Sequence, residues 1–193
     1  MRVRIGLISD THVPEARPSV WPQVLDAFRG VDLIFHGGDV HEFSVLDDLE
    51  RVAPVYCARG NGEDGSGGRP VQPEDPRVRY AWLLELGGLR VGLTHYVPVP
   101  ERPPDFTLAR WIERFFPAQR PDVIVSGDTH VERIATIDGI LCVNPGSATY
   151  PHNYDTQLGT VGFLEIENGR AHAEVMQLTE TGVAPFEWGR RWR

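Results

Sequence analysis

Ile5-Gly6-Leu7-Ile8-Ser9-Asp10-Thr11-His12 opens the chain with a short apolar run that stops on an acid and an imidazole. A run of that length, bounded by polar residues, predicts a buried strand at about residues 3–8. The same design recurs down the chain. Val31-Asp32-Leu33-Ile34-Phe35 leads to Gly38-Asp39, and Val52 to Cys57 leads to Gly60-Asn61. Leu89 to Thr94 leads to His95, and Val123-Ile124-Val125 leads to Gly127-Asp128-Thr129-His130. One Asp at a strand end needs no more explanation than capping the following helix. An ordered set of metal-capable groups, each just after an apolar strand, points to a site.

Between these strands the patterning predicts a helix at about 19–29, with Trp21, Leu25 and Phe28 on one face, and a short helix through Val45, Leu46 and Leu49. Strands at 31–35 and 52–57 complete βαβ units of a mostly parallel sheet. Residues 62–76 read as a long, mobile loop over the strand ends. Their glycines do not open a helix, because Pro70 and Pro73 follow, so they do not make a phosphate cradle. The second half is richer in strands, near 78–86, 89–94, 122–126, 131–137, 140–143, 160–166 and 171–177. Hairpin turns fall at Gly87-Gly88, Asp138-Gly139 and Asn168-Gly169. Leu108, Trp111, Ile112, Phe115 and Phe116 share a helix face that packs on the core. The expected class is α/β, an αββα sandwich of two mixed β-sheets flanked by helices. It forms one domain over 1–193, with a core of about 3–177 and a tail, 178–193, that is either frayed or packed on a partner chain.

The chain has 193 residues, 41% hydrophobic, the composition of a globular protein. No apolar stretch approaches the roughly 20 residues that span a bilayer, so no membrane partner is expected. Met1-Arg2-Val3-Arg4 runs directly into a strand with no signal-peptide pattern, which predicts a cytoplasmic protein. Cys57 and Cys142 read as buried small hydrophobes in a reducing compartment. A net charge of -8 disfavours general nucleic-acid binding but leaves room for a small anion held through metals. All 19 basic residues are arginine, which excludes lysine Schiff-base and P-loop lysine chemistry.

Oxygen and imidazole ligands mixed in this way suit first-row divalent metals such as Mn, Fe, Co, Ni or Zn. A carboxylate can bridge two cations, and two cations about 3.5–4 Å apart can activate water and hold a phosphoryl group. Asp39, the lone acid on its strand end, is the natural bridge. Asp10-Thr11-His12, Gly38-Asp39, Gly60-Asn61, Thr94-His95 and Gly127-Asp128-Thr129-His130 together resemble the ordered motifs of the calcineurin-like metallophosphoesterases. Arg59-Gly60-Asn61 and Asn144-Pro145-Gly146-Ser147 resemble the small bacterial and archaeal phosphodiesterase branch of that family. The resemblance implies that Asp10, His12 and His130 hold one metal and that Asp39 bridges. It assigns Asn61, His95 and the position of Asp128 to a second metal. It further implies a metal-bridging hydroxide attacking phosphorus, with Asp39, Asn61 and His95 acting in catalysis. Asn144 and Ser147, first of all a tight turn, approach the centre in the family and would position phosphate. Arg59 either pairs with an acid inside the fold or leans toward the phosphate.

Two positions depart from the family pattern. Asp128 stands where the family motif Gly-His-x-His has its first histidine. A third carboxylate would take a formally +1 dinuclear centre to neutral, which favours harder cations such as Mn2+ and a phosphodiester, with its single charge, over a monoester. Gly62 stands where many members carry a His that protonates the leaving oxygen; either Glu63 or Asp64 substitutes after a loop shift or the leaving group departs unassisted. Losing a general acid typically costs about 10²–10⁴-fold in rate. These readings make the chain a metal-dependent phosphodiesterase acting on a small phosphodiester, with a homo-oligomer possible. The alternative is a weak or inactive scaffold or protein-binding subunit on the same fold, like the relative found in the retromer complex. An exposed aromatic patch near Trp188 and Trp192 would favour it. Of the other histidines, His36 reads as a core residue behind the site, His41 and His152 as surface residues near strand-end loops, and His172 as surface.

Overall fold

The computed structural model describes residues 2–98, 107–152 and 158–190. In chain order the elements are β1 (Arg2–Ile8), α1 (Pro22–Ala27), β2 (Leu33–His36), α2 (Ser44–Glu50), β3 (Val55–Ala58), β4 (Val78–Arg79), β5 (Ala81–Leu86) and β6 (Leu89–Thr94). They continue with α3 (Leu108–Phe115), β7 (Val123–Val125), β8 (Arg133–Ile137), β9 (Ile140–Asn144), β10 (Thr160–Glu167), β11 (Arg170–Thr179) and β12 (Gly182–Pro185).

The strands form two mixed sheets. The larger has the order β12-β11-β10-β1-β2-β3-β4, parallel from β1 to β4 and antiparallel from β1 through β12. The smaller has the order β5-β6-β7-β9-β8, with β6, β7 and β9 parallel. Alternation along each strand decides what lies between them. Val3, Ile5, Leu7, Leu33, Phe35, Leu164 and Ile166 of the larger sheet pack on Val91, Leu93, Val123, Val125 and Val143 of the smaller. Burying a side chain of this size contributes about 1.5–3 kcal/mol, so this layer is the main source of cohesion.

Helices cover the two outer faces. α1 and α2 span six and seven residues, too short to stand alone in water. They persist because Val24, Val45, Leu46 and Leu49, with Phe28 just beyond α1, bury against the outer face of the larger sheet. Gly6 admits this packing, since a methyl there would lie 2.8 Å from the Phe28 ring. On the smaller sheet Leu108, Trp111 and Phe116 pack against Ile124, Ile140 and Cys142. The layers are therefore α, β, β, α, as the patterning predicts. Among the described residues, no helix is long and apolar enough to cross a membrane.

Three expectations change. The strand predicted over 78–86 is two strands, with β4 on β3 in one sheet and β5 on β6 in the other. The chain changes sheet at Tyr80, and extended patterning alone does not mark that point. Of the 178–193 tail, the described residues 178–190 are not separate from the core: β12 pairs with β11, and Phe186 beyond it is buried and packs edge-on against Trp188. Trp192 lies outside the described residues. The 62–76 loop, read as mobile, is tied down by Arg69 to Glu15, by a bridge between Asp64 and Val71, and by Gln72 N–H to Glu63 O.

Candidate metal centre

Strands β1, β2 and β3 of one sheet and β6 and β7 of the other end at the same edge of the sandwich, and their following loops interlock. Asp10 N–H donates to Gly38 O (3.0 Å), His12 N–H to Asp39 O (3.0 Å) and Gly127 N–H to His95 O (2.9 Å). Gly127 must be glycine, because a side chain there would run into Ser9 Oγ and Asp10 Oδ2.

The loops share an unusual backbone. Asp10 and His12 (φ 52° and 44°), Asp39 and His41 (53° and 69°), and Asp128 and His130 (70° and 56°) all adopt the left-handed conformation. Side-chain-bearing residues enter that region at a cost of roughly 1–2 kcal/mol each, and such residues cluster at functional sites. The chain thus carries three Asp-x-His triplets of one backbone design. The sequence reading identified the first and third as such. Asp39-Val40-His41 is spelled the same way, and that spelling was the available signal for His41. This histidine is buried rather than on the surface.

The structure brings together all seven residues predicted as ligands. Asp39 faces two ways: its Oδ2 is 3.4 Å from His12 Nε2, and its Oδ1 is 3.4 Å from His95 Nε2. Asn61 Oδ1 and Asp128 Oδ1 also approach His95 Nε2, at 3.2 and 3.7 Å. His130 Nε2 is 3.6 Å from Asp10 Oδ1. Single donor atoms from Asp10, His12 and His130, and likewise from Asp10, Asp39 and His95, lie within 4.8 Å of one another.

Two imidazoles are locked in the tautomer that a metal requires. His95 Nδ1 donates to Gly37 O (2.8 Å) and His130 Nδ1 to Tyr150 O (2.6 Å), which leaves each Nε2 with its lone pair turned inward. His12 Nε2 is buried with no hydrogen-bond partner. Around His95 Nε2 the oxygens of Asp39, Asn61 and Asp128 therefore converge, an arrangement met either by a proton that the acids draw onto the ring or by a cation in its place. The donor set, mixed oxygen and imidazole, fits a divalent first-row metal.

The electrostatics follow from burial. Asp10 is fully buried and pushed up to about 7 by desolvation, against the opposing charge of His95 and the Ser9 hydroxyl. Burial acts on Asp39 in the same sense but is outweighed by His12, His95 and the Gly62 N–H (2.7 Å), which hold it below the usual carboxylate range. His95 is raised: desolvation opposes its charge, but Asp10, Asp39 and Asp128 together outweigh it. Burial lowers His130, which keeps it the neutral imidazole that binds metals. His36 is driven down to about 3 by burial. Its Nδ1 accepts from Gly38 N–H (3.1 Å) and its Nε2 meets Thr11 Oγ1 (3.1 Å), so it supports the first two triplets from behind, as expected.

The residues predicted to hold phosphate are committed elsewhere. Arg59 is buried and donates to the carbonyls of Glu63, Gln72 and Pro73 at 3.2–3.3 Å, so it staples the 62–76 segment. Asn144 Nδ2 donates to Gly127 O (2.7 Å) while its Oδ1 accepts from Gly146 N–H (2.9 Å). Ser147 Oγ donates to Asp10 O (2.7 Å). All three shape the loops that carry the candidate ligands. Glu63 is likewise unavailable as a replacement acid. Its carboxylate is fully buried and accepts from the N–H groups of Gly60 (2.8 Å), His41 (2.9 Å) and Asp39 (3.2 Å). His152, read as a surface residue, is exposed but stacks on His130 with ring centroids 4.3 Å apart. Tyr150 stands over the same side, 5.7 Å from His12.

The chain is similar to known proteins in sequence and in fold. The model of the calcineurin-like phosphoesterase superfamily domain matches residues 3–169. A probable metallophosphoesterase of Methanothermobacter thermautotrophicus is 36% identical over 173 residues, covering 90% of this chain and 91% of the other. One from Methanocaldococcus jannaschii is 34% identical over 147 residues, 76% of this chain and 69% of the other. Among solved structures, vacuolar protein sorting 29 from Cryptosporidium parvum superposes with a TM-score of 0.73 at 19% identity, covering 95% of each chain. The zinc complex of the Entamoeba histolytica counterpart gives 0.67 at 22% identity, over 94% of this chain and 96% of that one. At these identities the two structures establish a shared fold.

Proposed function

The chain belongs to the calcineurin-like phosphoesterase superfamily, and from that premise we propose that it is a metal-dependent phosphodiesterase with a dinuclear centre. The observation that carries this reading is the convergence of donor atoms from Asp10, His12, Asp39, Asn61, His95, Asp128 and His130 at one edge of the sandwich, with Asp128 at its exposed rim. Asp10, His12 and His130 would hold one cation, Asn61, His95 and Asp128 the other, with Asp39 between them. Two divalent cations in such a site supply Lewis acidity to the phosphoryl oxygens and acidify a water.

The protein's own contribution is orientation. Gly37 O and Tyr150 O fix the tautomers of His95 and His130, Gly62 N–H fixes one oxygen of Asp39, and the Glu63 carboxylate holds the backbone that presents Asp39 and His41. Asp128 adds a carboxylate to the second position, which favours Mn2+ among the alternatives Fe, Co, Ni and Zn. It also makes a monoanionic phosphodiester a better fit than a dianionic monoester. Buried, unpaired Cys57 and Cys142 suit a reducing cytoplasm.

A scaffold role is the second reading, supported by the fold shared with vacuolar protein sorting 29 and by Trp188, which is 42% exposed. The Chaetomium thermophilum member of that group has been solved with a cyclic peptide bound. A complete, pre-oriented ligand set argues for the enzyme, because partner binding through the sandwich surface has no use for it.

The test is hydrolysis of bis-p-nitrophenyl phosphate by chelator-stripped protein titrated with divalent metals. Turnover restored by metal, best by Mn2+, is the expected result. Silence with every metal would favour the scaffold, and faster hydrolysis of p-nitrophenyl phosphate than of the diester would overturn the charge argument built on Asp128.

A further inference from the structure

The second Asp-x-His triplet, Asp39-Val40-His41, carries a histidine that the inner donor groups do not use. His41 is 5% exposed, and both its ring nitrogens are buried without a hydrogen-bond partner among the described residues. An unpaired buried polar atom costs about 1–3 kcal/mol, so it marks a place where something else is met. His41 Nδ1 lies 3.6 Å from Glu15 Oε1, beyond hydrogen-bond reach, and its ring centroid is 4.3 Å from that of His12. One donor atom from each of His12, Glu15 and His41 falls within 4.8 Å of the others. Gly62 makes room for the ring, since a methyl there would lie 2.8 Å from His41 Nε2. Arg69 steadies the carboxylate, its Nε and Nη2 donating to the two Glu15 oxygens at 3.2 and 3.0 Å. That pairing uses about two of the roughly four lone-pair directions of a carboxylate and leaves the others for a cation. Two imidazoles and a carboxylate are a common ligand set for first-row divalent metals.

We propose that His12, Glu15 and His41 form an outer cation position through which a divalent metal reaches the inner centre. A neutral imidazole offers one lone pair, so His12 serves either this outer group or Asp10 and His130 at a given moment. Exposure sets the direction of travel: the Glu15 side chain is 54% exposed, whereas Asp10 is fully buried. A cation is met at Glu15 and His41, gives up water there, and is handed inward with His12 as the common ligand. The inference rests on the metal-centre part of the proposed function and not on hydrolysis.

The experiment counts Zn2+ on chelator-stripped full-length protein by elemental analysis and follows uptake by competition with a zinc-responsive dye. His41→Ala is expected to reach the wild-type zinc content but to load at least ~10-fold more slowly, the lower end of what losing a metal-supporting partner costs. Glu15→Gln, a change at a half-exposed position that leaves the core untouched, should also slow loading. In a His130→Ala background, which weakens the inner group, adding His41→Ala should remove about one zinc equivalent. Unchanged loading in both single variants, or equal zinc content with and without His41 in that background, overturns the proposal. Normal zinc handling with no ester hydrolysis would instead count against the phosphodiesterase reading and leave this one standing.

Discussion

The strand-end edge of the sandwich and its hairpin turns solve one backbone problem in opposite ways. Both need left-handed residues. In the hairpins the chain uses Gly87-Gly88, Asp138-Gly139 and Asn168-Gly169, and around Gly88, Gly139 and Gly169 there is open space. At the metal edge it uses Asp10, His12, Asp39, His41, Asp128 and His130, packed among one another and mostly buried. Eight described residues other than glycine have this conformation, and six belong to the triplets. The hairpins use residues that adopt the conformation cheaply, so that they serve the fold. The triplets accept the cost because it turns a carboxylate and an imidazole, two residues apart, into the same cluster. Function should therefore be concentrated at one edge and stability in the turns and the core.

The largest break in that division would come from Asp39→Asn. The asparagine keeps an oxygen for Gly62 N–H but loses the charge shared between His12 and His95. Turnover of bis-p-nitrophenyl phosphate at saturating Mn2+ should fall on the order of 10³-fold, the scale of removing a centre that supplies several kcal/mol. Stability to urea of the chelator-stripped protein should fall by no more than a few kcal/mol, the cost of removing a charge that His12 and His95 hold in the fold, and the variant should stay folded. If the fold collapsed along with activity, Asp39 would be structural and the contrast would fail.

Gly139→Ala tests the other side. Its φ of 79° is unfavourable for alanine, and no neighbour within 4 Å complicates the result. Stability should drop by about 1–2 kcal/mol with kcat unchanged. Urea melts together with the same diesterase assay check both halves, and a loss of activity comparable to that of Asp39→Asn would show that the turns and the site are coupled.

The two regions also differ in how far they could be read from sequence. Asp-Gly and Asn-Gly between alternating strands announce their turns locally, because the chemistry of two residues decides the geometry. The candidate ligands at strand ends are legible for the same reason: each stands beside its own strand. What was missed depends on contacts between distant segments. Glu63 in a glycine-rich loop looks solvated until three N–H groups from two loops close on it. Arg59 looks free to meet a phosphate until the following loop folds back and surrounds it with carbonyls. β12 contains Gly182 and Pro185, poor strand formers, and exists because β11 offers it a register. His41 is the exception: its triplet, Asp39-Val40-His41, is spelled in the sequence as plainly as the other two.

The smallest expected effect is a cancellation inside the metal edge itself. Asp10 is raised to about 7 in the fold from 3.8, so its contribution is present at low pH and lost as pH rises toward 7. His36 is lowered to about 3 from 6.5, so its contribution is present above 6.5 and lost as pH falls toward 3. Between about pH 4 and 6.5 the two oppose each other, each at about 1.4 kcal/mol per pH unit, and their sum should be nearly flat. The cancellation appears only when one partner is removed. In chelator-stripped protein, Asp10→Asn should lose stability on acidification through this window, and His36→Gln should gain it. Urea midpoints measured at pH 4.5, 5.5 and 6.5 distinguish these outcomes, and parallel profiles for the two variants would mean that neither group is held in the protonation state that its burial dictates. Because a bound cation keeps Asp10 ionised and its imidazole ligands neutral, adding metal to the wild type should make stability fall more steeply on acidification, in the direction of Asp10→Asn. This ties the pH response of the fold to occupancy of the centre.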